Sequence, residues 1–251
     1  MRLIVPMLAA FGLAATGVAA CSARSPLAPS PPAETPIRVL MLTTTAGFRH
    51  DAIGTAREVM TSAAVGAGQF TVTASEDLAV LSASNLATYD VLFFALTSGE
   101  LPLTDAQKSA ITGFVSGGKG FLGAHSASDT LYEWSDYGRL VGAYFKEHPW
   151  TTSAGVIVED GSHPATTGLG DRFEVTEEFY TFRENPRPRV QVLLRLDAAS
   201  VGAIGDYPLA WAHTFGGGRV YYNALGHFAE TWRDPRFQRQ IAGAIAWAAK
   251  R

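Results

Sequence analysis

The chain has 251 residues, 47% of them hydrophobic and 17% charged, with a formal net charge of -3. That is an ordinary globular balance, with enough apolar material for one sizeable core rather than two small ones. Lysine and arginine are scattered singly and form no basic stripe, so nucleic acid is not an expected partner.

Met1-Arg2 followed by "LIVPMLAAFGLAATGVAA" reads as a secretory signal over residues 1–20, too short and too poor in charged flanks for a stable membrane span. It stops at "VAAC", where Cys21 is the only cysteine of the protein. The arrangement resembles a bacterial lipobox, which implies a lipidated Cys21 and a membrane held through that anchor. Ser22 rather than Asp follows it, which by the same resemblance favours the outer membrane in a Gram-negative host. The expected location is therefore the bacterial cell envelope, as an exported lipoprotein at the outer membrane or facing the periplasm in a Gram-negative host. Residues 22–36, "SARSPLAPSPPAETP", hold five prolines in fifteen positions. Such a segment is a stiff extended tether, spanning about 45 Å at ~3.1 Å per residue. Residues 21–36 thus read as anchor and tether, and 37–251 as one folded domain.

Within that domain "IRVLMLTT" (37–44) is a continuous apolar run, expected to be a strand covered on both faces. A helix is expected over about 52–64, an alternating strand at "FTVTASE" (70–76), and a buried strand at "DVLFFAL" (90–96). Thr104, with Gln107 three residues on, forms a capping-box pattern that opens a helix running to about Val115. "GKGFLGA" (118–124) is the fourth strand. This alternation predicts a mostly parallel central sheet with helices on both faces. The second half is β-rich: "SAGVIVED", "DRFEVTEEFYTF", "VQVLLRLD", "PLAWAHTF" and "GRVYYNAL" read as strands, with a hairpin at the glycine triple of "TFGGGRV". "DPRFQRQIAGAIAWAAK" closes the chain as an amphipathic helix.

Ligands of open parallel α/β sheets gather at the carboxyl ends of the strands. Three of the six histidines fall there: His50 after the first strand, His125 after the fourth and His227 after the last. His125 opens a crowded exit, "HSASDTLYEW", that also holds Asp129, Tyr132 and Trp134. His125 is the expected centre of proton transfer, a rim residue contributing little to the core. Asp129, one helical turn on, is expected to orient its imidazole. Along "FEVTEEFYTF", Glu174, Thr176, Glu178 and Tyr180 share one strand face, and Glu178 with Tyr180 forms an acid–base and ligand-orienting pair. A solvated strand face fits that pattern nearly as well. Tyr132, Trp134 and Trp232 are aromatics of a kind that stacks on sugar rings, although such residues more often pack in a core. His213 should pair opposite Val220, well down a strand, and is read as structural; His163 precedes a proline and reads as a turn residue, while His148 keeps a claim on the site. His50, His125 and His227 with a carboxylate such as Asp129 would suit a zinc-type divalent ion, although their spacing is not that of a compact metal motif. No phosphate loop, dinucleotide fingerprint or serine nucleophile elbow is present, and the domain has no thiol.

The stretches "VLMLTTTAGFRHDAI", "GKGFLGAHSASDTLYEWSDYGRLVGAYFKEHPW", "FEVTEEFYTF" and "PLAWAHTFGGGRVYYNALGH" resemble, in order and spacing, the ThuA-like (trehalose-utilisation) family. The resemblance covers nearly everything from Ile37 onward. It implies a flavodoxin-like three-layer sandwich related to class I glutamine amidotransferases, with His125 in the region of their cysteine nucleophile, and hence no glutaminase activity. It also implies a small carbohydrate substrate, a disaccharide or 3-keto-glycoside, and motif positions at His50, His125, Asp129, Glu178, Tyr180 and His227. Cleavage by histidine and carboxylate acid–base chemistry is then one expectation, hydrolytic or eliminative. A carbohydrate-binding or scaffolding domain without turnover is the other.

Overall fold

The computed structural model describes residues 35–62 and 68–250. The signal, Cys21 and the tether as far as residue 34 lie outside the described residues. In chain order the domain comprises β1 (Ile37–Leu42), α1 (Ile53–Thr61), β2 (Phe70–Ser75), α2 (Ala83–Leu86), β3 (Val91–Ala95), α3 (Asp105–Ser116), β4 (Gly120–Ala124) and α4 (Ser135–Val141). There follow β5 (Phe145–Val158), β6 (Arg172–Phe182), β7 (Gln191–Leu196), β8 (Pro208–Phe215), β9 (Gly218–Asn223), α5 (Ala229–Arg233) and α6 (Pro235–Ala248).

Among the described residues, nine strands form one sheet in the order β2-β1-β3-β4-β9-β8-β7-β5-β6. The ladders β1–β2, β1–β3, β3–β4 and β4–β9 are parallel. Those from β9 outward, β9–β8, β8–β7, β7–β5 and β5–β6, are antiparallel. The sheet is therefore mixed, not mostly parallel. Parallel neighbours need a crossover, usually a helix, whereas the helix-poor second half joins its strands by turns and must reverse direction. The β8–β9 hairpin turns at Gly216-Gly217, and His213 pairs with Val220 as the sequence predicts.

Burial on both faces of the parallel half follows from its helices. A Cβ built on Gly120 would meet Ala248 of α6, whereas one on Gly123 would meet Ala127 and Val141 on the side of α4. Positions 120 and 123 differ in parity, so α6 and α4 cover opposite faces of β4. Likewise Phe93 meets Trp232 of α5, and its neighbour Phe94 meets Tyr137 of α4. This three-layer arrangement explains why β3 and β4 are buried at every residue. The α3 cap takes the expected form: the Thr104 hydroxyl accepts the Gln107 N–H, and the Gln107 side chain accepts the Thr104 N–H.

One element is longer than its sequence pattern. β5 begins at Phe145 rather than near Ser153, and its register with β6 is irregular between Phe145 and Trp150. The segment "KEHP" lacks strand alternation; its extended form comes from pairing with β6. That irregular arm carries His148.

Candidate functional site

His50, His125 and His227 leave β1, β4 and β9 and meet at one end of the parallel half. His50 is seated by its loop. The backbone N–H groups of Ala46 and Gly47 donate to the Ser98 carbonyl, and the Ser98 hydroxyl donates to that of Phe48. Gly99 (φ 73) permits the close approach, since a Cβ there would lie 2.5 Å from the Gly47 nitrogen. His125 stands in a sharp left-handed turn (φ 51) at the exit of β4, a conformation costly for a residue with a Cβ and recurrent at functional sites. Its carbonyl accepts the Tyr222 hydroxyl at 2.7 Å, and its Nδ1 lies 2.8 Å from the Ala224 carbonyl. A carbonyl only accepts, so Nδ1 carries the proton and Nε2 presents a lone pair to the cluster.

The carboxylates come from β6, which crosses the ends of the parallel strands. Glu178 Oε2 lies 3.1 Å from His227 Nδ1 and 3.5 Å from His125 Nε2, and Oε1 lies 3.3 Å from His148 Nδ1. His50 Nε2 is 3.1 Å and His227 Nδ1 3.3 Å from His125 Nε2, with the Tyr180 hydroxyl at 2.9 Å. One ligand-type atom from each of His50, His125, Glu178 and His227 lies within 4.8 Å of all the others. Electrostatics follow from this crowding. Burial, then the neighbouring imidazoles, push His50 down to about 3, so it is neutral at ordinary pH. Burial works to raise Glu178, yet the adjoining His125 and His227 imidazoles carry it well below the usual carboxylate range. The Glu178 hydrogen bond raises His227 against its own burial.

Several expected residues sit elsewhere. Asp129 does not orient His125: it accepts the Tyr132 hydroxyl at 2.6 Å, while the Ala224 carbonyl fixes the ring and the carboxylate nearest it is Glu178 of strand β6. His125 is no rim residue; it is wholly buried. Trp232 is also wholly buried, its indole N–H donating to the Gly226 carbonyl, so it supports the His227 loop from the core. Trp134 stacks on Tyr137, and Tyr132 is covered by Arg183 and Tyr144, so neither faces the cluster. The aromatics beside the histidines are instead Phe48, 65% exposed with its ring edge-on to His50, and Phe228 against His227. His213 is structural, between the Thr214 and Leu140 carbonyls. His163 is more than a turn residue: it is buried against Trp247, and its Nδ1 accepts the Ala165 N–H. Glu177 and the role of His148 go beyond the sequence reading. A carboxylate at Glu177, in step with apolar Phe173, Val175 and Phe179, is the sequence signal that marks the first.

The sequence matches the ThuA family, described as trehalose utilisation, over residues 38–248. The chain belongs to the ThuA family. Among solved structures it is similar to a ThuA-like protein from Bacteroides uniformis ATCC 8492 (22% identity, 88% of this chain and 95% of that one, TM-score 0.72). A ThuA-like protein from Parabacteroides merdae ATCC 43184 is similar at 18% identity, covering 86% of this chain and 90% of that one, with TM-score 0.70. The fold also recurs over 31% of a β-galactosidase from Bacillus circulans sp. alkalophilus, at 11% identity, 84% of this chain and TM-score 0.55. No curated protein matches the sequence. Family membership gives this ThuA-family chain a carbohydrate-related role.

Proposed function

We propose that this ThuA-family protein is an exported enzyme, tethered to a membrane through Cys21, that cleaves a trehalose-type disaccharide or its keto derivative by acid–base chemistry. The observation that carries the reading is the pairing of His148 with Glu178. His148 is the half-exposed histidine of the group, and its Nδ1 lies 3.3 Å from an oxygen of a mostly buried carboxylate. A carboxylate accepts, so Nδ1 carries the proton and Nε2 is left with its lone pair, as in other histidines oriented by an acid. His125 is less suited to that task, because four polar atoms already surround its Nε2.

In a 3-keto-glycoside the proton at C2 is acidified by the neighbouring carbonyl. A base at the position of His148 takes that proton, the C–H electron pair closes the C1–C2 double bond, and the C1–O bond breaks with a proton delivered to the leaving oxygen. Phe48, exposed beside His50, supplies a flat apolar face for the sugar ring.

The test is incubation of the full chain with trehalose and with its 3-keto derivative, with products separated by chromatography. Loss of the keto sugar, abolished by His148→Ala and partly restored by added imidazole, supports the reading. Tight binding of either sugar with no product, equal in wild type and His148→Ala, makes the protein a carbohydrate-binding domain and ends the enzymatic proposal.

A further inference from the structure

We infer that His50, His125, His227 and Glu178 form a binding site for one divalent transition-metal ion of the zinc type. The inference rests on the geometry of the cluster and not on any sugar chemistry.

Ligands held at ~2.0–2.1 Å around a tetrahedral ion lie roughly 3.3–3.4 Å from one another. The measured edges are 3.1 Å for His50 Nε2 to His125 Nε2 and 3.3 Å for His125 Nε2 to His227 Nδ1. The edges to Glu178 Oε2 are 3.5 Å from His125 Nε2 and 3.1 Å from His227 Nδ1. Four of the six edges thus stand at the separations that one shared ion imposes, and one ligand-type atom from each residue lies within 4.8 Å of all the others.

Hydrogen bonding alone accounts poorly for the same arrangement. With its Nδ1 proton committed to Ala224, His125 presents a single lone pair at Nε2. The Tyr180 hydroxyl, at 2.9 Å, can donate to it. Two further ring nitrogens still approach that lone pair within 3.3 Å. A cation among them turns this crowding into coordination.

Three imidazoles and one carboxylate suit zinc, cobalt or nickel better than calcium or magnesium, which prefer oxygen ligands. The outer partners fit as well. The Ala224 carbonyl fixes the His125 ring, His148 takes the second oxygen of Glu178, and Glu177 holds the backbone of His227. The ligands lie in four separate stretches of the chain, so no compact motif announces them; the fold assembles the site.

The experiment uses the untagged full chain in detergent, stripped with a chelator and dialysed against zinc or cobalt. About one ion per chain is expected, with visible ligand-field absorption for cobalt and a zinc-dependent rise in melting temperature. Glu178→Gln and His227→Asn should each weaken zinc binding by at least about tenfold, whereas His163→Gln, buried against Trp247, should bind normally. His227 is partly exposed, so its variant keeps the test open if Glu178→Gln fails to fold. A stoichiometry near zero in the wild type, or unchanged binding in the folded ligand variants, overturns the site. Neither readout involves sugar turnover, so failure here and failure of the enzymatic reading are separable.

Discussion

The buried carboxylate of Glu177 accepts the backbone N–H of His227 at 3.1 Å and that of Gly226 at 2.9 Å, and it also takes the Thr231 hydroxyl. Two adjacent residues of β6 thus do different work: Glu178 meets the imidazoles, and Glu177 fixes the loop that delivers one of them. Glu177→Ala leaves two buried N–H groups and a hydroxyl unpaired. We expect a loss of about 2–4 kcal/mol, since each such group costs on the order of 1–3 kcal/mol. Thermal unfolding should show this as a fall of roughly 5–15 °C for a domain of this size. Glu177→Gln, which keeps one acceptor, should fall between. An Ala variant that melts with the wild type would show that the loop is held by other contacts.

His125→Ala should lose activity and stability together. The change removes the hydrogen bond to Ala224 and opens a void at a fully buried position, costing about 1–3 kcal/mol. His125→Asn should also be inactive but melt closer to the wild type, because asparagine tolerates the left-handed conformation found there. Calorimetry of both variants beside a turnover assay checks this, and equal melting of Ala and Asn would remove the backbone from the explanation.

Stability should decline as pH falls below about 6.5. Burial lowers His163 from its ordinary value of 6.5, and His213 likewise, so the unfolded chain binds those protons more readily than the native one. Their contribution is fully present above the unfolded value and is lost progressively as pH drops below it. Melting temperatures between pH 8 and pH 5 should therefore slope downward on the acid side. His163→Gln should flatten that slope; an unchanged slope would assign the effect to other groups.

Cys21→Ser should move the protein from the detergent phase to the soluble fraction without altering the melting temperature of the domain. Phase partitioning of both forms after expression in a Gram-negative host is the measurement. A mutant that stays with membranes would refute lipid anchoring at that cysteine.

The order of elements, the α3 cap, the β8–β9 hairpin and the pairing of His213 with Val220 were all legible in the chain, because each depends on periodicity or turn chemistry within a few residues. So was the meeting of His50, His125 and His227, since three parallel strand ends must share one edge of the sheet. The partner of His125 was not legible. Asp129 is near in sequence, but its carboxylate turns to Tyr132, while Glu178 arrives on β6 from the antiparallel half. Which end of β6 crosses the site depends on strand direction and register across five further ladders, and no local pattern encodes that. The same holds for Trp232 and for His148. Hydrophobicity cannot tell a core tryptophan from a rim one, and "KEHP" becomes strand only by pairing with β6. Local sequence determined the elements and the edge where they meet; long-range strand pairing alone decided which side chains face one another there.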